Sequence, residues 1–313
     1  MALARAVGKH QYSTDSAWIK KYTGRKRLQY EYAVSSLHYR PIVRADAVVR
    51  SFVKLEKLSD VNKDPRMIQC RSKRYNVELG NHIKPWEHNF YALHGDNIRR
   101  CPRGRLMVKG LNALERGAVV RECWESLIDP VQLALDCSRF DAHVNAELLL
   151  IEHSVYRHCC RTPTLNKLLS WQVDNVCRTN SGIRYTCRGR RMSGDMNTSI
   201  GNCIIMISML CDYMHKQGIP LDDWRMADDG DDCCLIVERK FVAQIQQTIH
   251  AGFLLYGQEI KIESQSGVFA DVTLCGCKPI RTAQGVAMIL EPARAIGKAL
   301  VHTRAYHTKF RRK

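Results

Sequence analysis

The spacing of hydrophobic and polar residues becomes legible from about residue 130 onward. Residues 131–135 (VQLAL) are apolar enough for a buried strand, which ends on Asp136. Residues 146–159 predict a helix and 183–187 a short strand. A long apolar helix follows at 197–216, closed by Gly218 and Pro220. Segments 224–226 and 233–237 flank Asp229-Gly230-Asp231, the pattern of a hairpin. Residues 241–256 predict another helix and 260–262 a strand, with further strand signals at 271–274 and 286–290. Upstream, residues 1–60 are basic and weakly periodic. Residues 62–110 hold many Arg, Lys, Gly and Pro and give little helical signal. The order strand, helix, helix, hairpin, helix, strand predicts an α+β domain, an antiparallel sheet backed by helices.

Composition changes this picture in one respect. The 313 residues include 48 Lys plus Arg against 31 Asp plus Glu, a net charge of +17. The basic residues are spread along the chain, which points to a polyanionic partner. Fourteen cysteines raise the question of disulfides or zinc. The N-terminal residues MALARAVGKHQYST carry no apolar signal-peptide region, which predicts a reducing compartment. Cys159-Cys160, Cys233-Cys234 and the Cys275/Cys277 pair lack zinc-ligand spacing, so the thiols are expected to be free and mostly buried. The longest apolar stretch, 203–209, is too short to span a bilayer.

The candidate chemistry lies in carboxylates. Asp136 ends an apolar strand and Asp141 follows five residues later. In Ala227-Asp228-Asp229-Gly230-Asp231-Asp232, Gly230 permits a tight turn that presents Asp231 and Asp232 at a hairpin tip. If the two strands are neighbours, Asp136 and Asp231 face each other. Two such carboxylates need an offsetting charge, and a divalent cation supplies one while organising phosphoryl displacement. Between them lies Ser193-Gly194-Asp195-Met196-Asn197-Thr198-Ser199-Ile200-Gly201-Asn202. Ser193-Gly194 reads as a flexible loop, and Asp195 or Asn197 as a helix cap. Thr198 and Asn202 share a helical face. Capping does not explain Asn202, whose amide sits in an apolar run. Each element alone is weak, and the three in this order are far more specific.

These residues resemble the RNA-dependent RNA polymerases of positive-strand RNA viruses, most closely the tombusvirus-like group with its carmoviruses and umbraviruses, from about Phe52 to Thr303. Residues 135–141 resemble polymerase motif A, 190–202 motif B, Gly230-Asp231-Asp232 motif C, the stretch around Lys261 motif D, 274–279 motif E, and 64–80 motif F. The resemblance implies a right-hand polymerase fold with fingers and palm and a short or truncated thumb. Fingers would occupy 1–130, the palm 131–280 with a fingers insertion at about 160–190, and the start of the thumb with a basic tail 281–313. It further implies that Asp136, Asp231 and Asp232 bind two Mg²⁺ ions, with Mn²⁺ able to substitute. Lys261 would be a general acid for pyrophosphate. Asp141, Ser193, Thr198 and Asn202 would read the ribose, and Arg66, Arg71, Lys73 and Arg74 would hold the triphosphate, as forked and point cations do. The implied partners are RNA template and product, ribonucleoside triphosphates and an N-terminal viral replicase protein. That protein would recruit the chain, which shows no transmembrane segment of its own, to membrane-associated replication complexes in the host cytoplasm.

The chain departs from the family at Met226-Ala227-Asp228-Asp229, where an Asn-containing strand is usual, and at Leu274-Cys275-Gly276. Extra acid at Asp228 and Asp229 is expected to alter metal affinity. Two other readings stay open: a reverse transcriptase, separable by its preference for deoxyribonucleotides, and an inactive basic RNA-binding remnant.

Overall fold

The structure is a computed structural model describing residues 1–56 and 64–300, so the basic tail at 309–313 lies outside the described residues. Its regular elements are α1 (Ala2–Val7), α2 (Gly24–Tyr39), β1 (Val49–Val53), β2 (Met67–Cys70), α3 (Lys73–Tyr91), α4 (Ala113–Glu125), β3 (Pro130–Ser138), α5 (Phe140–His143), α6 (Ala146–Cys159), α7 (Pro163–Val173), β4 (Asp174–Thr179), β5 (Arg184–Arg188), α8 (Thr198–Lys216), β6 (Trp224–Asp228), β7 (Asp232–Glu238), α9 (Val242–Leu254), β8 (Glu259–Ser266), β9 (Cys277–Thr282), β10 (Gly285–Leu290) and α10 (Pro292–Leu300). The expected α+β class holds, with the hairpin, the long helices and all the predicted strands but that at 271–274 in place.

The central sheet runs β6-β7-β3-β8, antiparallel throughout. Its strands β6, β7 and β3 are buried on both faces while β8 leaves one face exposed, and period-2 alternation sorts the side chains. Leu133, Leu135 and Cys137 of β3 and Cys233, Leu235 and Val237 of β7 enter the main core with α3, α6, α8 and α9. Cys234 and Ile236 enter a second core with Val119, Val120 and Cys123 of α4 and Met288 of β10. α8 is apolar almost all round, as a helix enclosed by others must be, and Ile200 to Ile207 are all buried.

A second sheet, β2-β1-β4-β5, joins the N-terminal region to the hairpin at 174–188, with β1 and β4 parallel. The stretch 62–110, read as giving little helical signal, contains α3, and the weakly periodic stretch 1–60 contains α2. In α3, Tyr75, Leu79, Ile83, Trp86 and Phe90 are buried at helical spacing, while Gly80 and Pro85 read as breakers in sequence. α4 opens with a capping box, Asn112 accepting from Glu115 N and Glu115 from Asn112 N. No strand forms at 271–274. Cys275 and Gly276 adopt φ of 53° and 70°, and reciprocal backbone bonds between Leu274 and Cys277 make a tight turn there, so the strand starts at Cys277.

Candidate active site

The site forms at one end of the central sheet. Asp136 lies directly opposite Asp232 in the β3–β7 ladder and opposite Lys261 in the β3–β8 ladder. Directly opposed residues share a face, so Asp232, Asp136 and Lys261 make a row across the sheet. Asp231 precedes β7 in the exposed turn. In the ladder the strand partner of Asp136 is Asp232, and Asp231 adjoins it in the turn. Asp229 N donates to Asp232 O at 2.9 Å to close that turn, and Gly230 takes a φ of 101°, which glycine adopts at least cost.

Carboxylates about 4 Å apart repel by on the order of 4 kcal/mol at an effective dielectric near 20. Asp232 registers this repulsion. Burial, then the charges of Asp231, Asp136 and Asp229, push its carboxyl up to about 6. Lys261 Nζ lies 3.1 Å from Asp136 Oδ2, and this bond above all holds its ammonium above the usual value. The two extra acids are dealt with separately. Asp229 is held by Lys109 Nζ at 2.7 Å and Arg116 Nη1 at 3.2 Å, and Cys275 Sγ donates to it at 3.0 Å. Burial works against the Lys109 ammonium, and Asp229 outweighs burial and raises it. Asp228 is fully buried, and burial above all pushes its carboxyl well above the usual carboxylate range.

The donor set of Asp136, Asp231 and Asp232 is hard oxygen with surplus negative charge, which suits a divalent cation such as Mg²⁺. Among the described residues, no three His, Cys, Asp or Glu side chains are gathered closely enough to hold a metal unaided. A cation here would draw the rest of its shell from water and substrate oxygens, as Mg²⁺ commonly does.

The segment 193–202 is stitched to β2 and does not hang as a free loop. Ser193 Oγ accepts from Gln69 N at 3.1 Å, and Gly194 N donates to Gln69 O at 2.7 Å. A Cβ at Gly194 would collide with β2, so the close approach requires glycine. Asn76 bonds Gly194 O and Met196 N. Asn197 occupies the N-cap of α8 without capping it, and its amide donates instead to buried Glu152 and Gln172. Thr198 Oγ1 donates to Met192 O at 2.9 Å. Asn202, 6% exposed, donates to Asp141 at 3.0 Å and accepts from Arg191 at 3.0 Å, which satisfies the amide that the sequence left unexplained.

The four basic residues expected at the triphosphate separate into two kinds. Arg71 is buried, ion-paired to Asp195 and bonded to Asn175 and Trp171 O. Arg74 is buried against Asp46 at 3.0 Å and also bonds Ser36, Arg40 O and Pro41 O. The structure brings neither to the carboxylates: both guanidinium groups are buried and ion-paired inside the protein, and Arg71 Nε has no partner among the described residues. Arg66 has an exposed side chain paired with Glu56, and the Asp231 charge adds to Glu56 in holding its guanidinium up. Lys73 lies over the Tyr30 ring, 5.1 Å from its centroid.

A cleft of about 470 Å³ opens beside the carboxylates, lined by Ser193, Thr198, Asn202, Gly230 and Asp231 on one side. Tyr22, Lys26, Tyr30, Lys84 and Lys109 complete it. Tyr22 and Tyr30 stack with centroids 5.0 Å apart, and Lys26 lies over Tyr22 at 4.1 Å. Burial, then repulsion from Lys73 and Lys84, lowers the Lys26 ammonium. Sequence reasoning missed these lysines, since they are separated along the chain. It also missed Glu152, whose signal was present: an acid on the stripe Leu148, Glu152, Val155, Tyr156, Cys159 must have a buried partner.

A family model described as viral RNA dependent RNA polymerase matches residues 1–312. The chain is 37% identical over 308 residues to the RNA-directed RNA polymerase of Tomato bushy stunt virus (strain Cherry), covering 95% of this chain and 36% of that protein. It is 34% identical over 299 residues to the RNA-directed RNA polymerase of Melon necrotic spot virus, covering 93% and 37%. With that of Groundnut rosette virus (strain MC1) it shares 35% over 275 residues, covering 86% and 32%. The chain thus spans about a third of the length of the curated relatives it matches.

Proposed function

Because the chain belongs to the viral RNA-dependent RNA polymerase family, we propose that it transfers ribonucleotides to an RNA 3′-hydroxyl under the direction of an RNA template. The observation that carries this reading is the row Asp232, Asp136, Lys261, with Asp231 at the adjoining turn, where it lines a cleft together with lysines and hydroxyl and amide side chains.

In the proposed mechanism Asp136 and Asp231, assisted by Asp232, hold two divalent cations. Bound Mg²⁺ or Mn²⁺ would activate the attacking hydroxyl and neutralise the departing pyrophosphate. Lys261 carries its proton at neutral pH, because Asp136 raises its ammonium, and can deliver it to the leaving oxygen. Asp141, Thr198 and Asn202 contact the sugar. Arg66 and Lys73 are the cations left available to phosphate, whereas Arg71 and Arg74 hold the fold. Lys26 and Lys84 face the RNA backbone. Fingers and palm describe the expected layout, and no helix among the described residues is long and apolar enough to cross a membrane. Recruitment to replication membranes by a partner protein belongs to the same proposal.

Templated ribonucleotide incorporation by the purified chain tests the reading. Asp231→Ala is expected to abolish incorporation while leaving RNA affinity within about twofold, since affinity rests on distributed charge. Wild-type rates in that variant would remove Asp231 from the chemistry. Preference for deoxyribonucleotides would favour a reverse transcriptase instead.

A further inference from the structure

We propose that Arg191, braced by Glu152 across Gly201, is a positioning residue for sugar selection, acting by fixing the orientation of the Asn202 amide. The inference rests on the polymerase reading of the same site.

An asparagine amide has two faces of opposite polarity, an oxygen that only accepts and a nitrogen that only donates. Its two flipped orientations fill nearly the same volume, so sterics alone do not choose between them. Here the choice is made chemically. Arg191 Nε donates to Asn202 Oδ1 at 3.0 Å, and Asn202 Nδ2 donates to Asp141 Oδ1 at 3.0 Å. A guanidinium only donates and an ionised carboxylate only accepts. Flipping the amide would set donor against donor and acceptor against acceptor. Arg191 also reaches the carboxylate's own residue, its backbone N–H donating to Asp141 O at 2.8 Å. One residue therefore sets both Asp141 and Asn202.

Arg191 is held in turn by a fork on Glu152, Nη1 to Oε1 at 3.1 Å and Nη2 to Oε2. The two side chains are 1% and 0% exposed, so water does not compete for them. Asn197 and Tyr156 add donors to Glu152 Oε1. The pair lies against α8 at Gly201, where a Cβ would collide with both Glu152 and Arg191. Glycine at this helical position is destabilising in itself, and the close approach of the ion pair accounts for it.

Among the described residues the second N–H of the fixed amide has no partner, and Asn202 lines the cleft. A ribose 2′-hydroxyl can accept from that N–H while donating to a carboxylate, and a 2′-deoxyribose can do neither. Losing the orientation would therefore cost discrimination more than it costs binding of nucleotide as such.

The test is Arg191→Lys in the full chain. A lysine keeps the charge facing Glu152 but cannot bridge Glu152 and Asn202 at once. The ratio of kcat/KM for ATP over dATP is measured in templated incorporation, together with the affinity ratio for the same two nucleotides in the RNA complex with Mn²⁺. The expected result is a fall of at least tenfold in both ratios, carried by weaker ATP binding, with dATP affinity and thermal midpoint little changed. In an Asn202→Ser background the same substitution should have no further effect on either ratio. Unchanged ratios in Arg191→Lys overturn the proposal. Should that variant fail to fold, Glu152→Gln is read in the same assays, with an expected fall of about threefold, and unchanged ratios there overturn it equally. A wild-type chain that incorporates neither sugar would instead overturn the polymerase reading, while the affinity ratios still decide the role of Arg191.

Discussion

His153 shows how one side chain ties pH to the support of the site. It is wholly buried beside Glu152, and its ring bonds Gln172, which bonds Asp195 and Asn197 in turn. Burial above all lowers its imidazolium to about 4. The unfolded chain takes up that proton near pH 6.5, whereas the folded protein resists it until about 4. Stability from this group is therefore complete above about pH 6.5 and is lost as pH falls towards 4, by roughly 3 kcal/mol at one pH unit per 1.36 kcal/mol. Urea unfolding between pH 7 and 4.5 should show this decline, and His153→Gln should flatten it. A slope unchanged by the substitution would assign the acid sensitivity elsewhere.

At the scale of elements, β2 and the start of α3 act as a clamp on the loop that precedes α8. Gln69, Asn76 and Arg71 between them hold Ser193, Gly194, Asp195 and Met196. A basic segment expected to bind triphosphate thus spends two of its arginines on internal carboxylates, Asp195 and Asp46. Removing one partner of a buried ion pair typically costs about 3–5 kcal/mol, because the other charge is stranded. Arg71→Ala is expected to destabilise the protein by that amount in chemical denaturation. A full-stability variant with a raised nucleotide KM would return Arg71 to the substrate channel.

Over the whole molecule, a net charge of +17 draws in any polyanion, but the cleft concentrates the effect. Lys73 and Lys84 of α3 both repel Lys26 of α2, and Lys84 is paired with Glu87 at 2.7 Å, so Lys26 is the cation that a phosphate would relieve most. The double variant Lys26→Ala with Lys84→Ala should weaken single-stranded RNA binding and reduce the slope of log affinity against log salt by about one. An unchanged slope would place the RNA on another face.

The chain's own pattern determined its sheet, its long buried helix and the turn at Gly230, since these follow from local periodicity and from one residue's freedom of φ. It also marked Asp136, Asp231, Asp232, Asp141 and Asn202 as the residues to watch. Only the tertiary structure decided which of them are neighbours: strand register set Asp136 against Asp232 and Lys261. Folding likewise consumed Arg71 and Arg74 in ion pairs and left Arg66 and Lys73 outward. The physical reason is that burial and charge pairing are properties of space. An arginine fork reads the same along the chain whether it will meet an internal carboxylate or a phosphate.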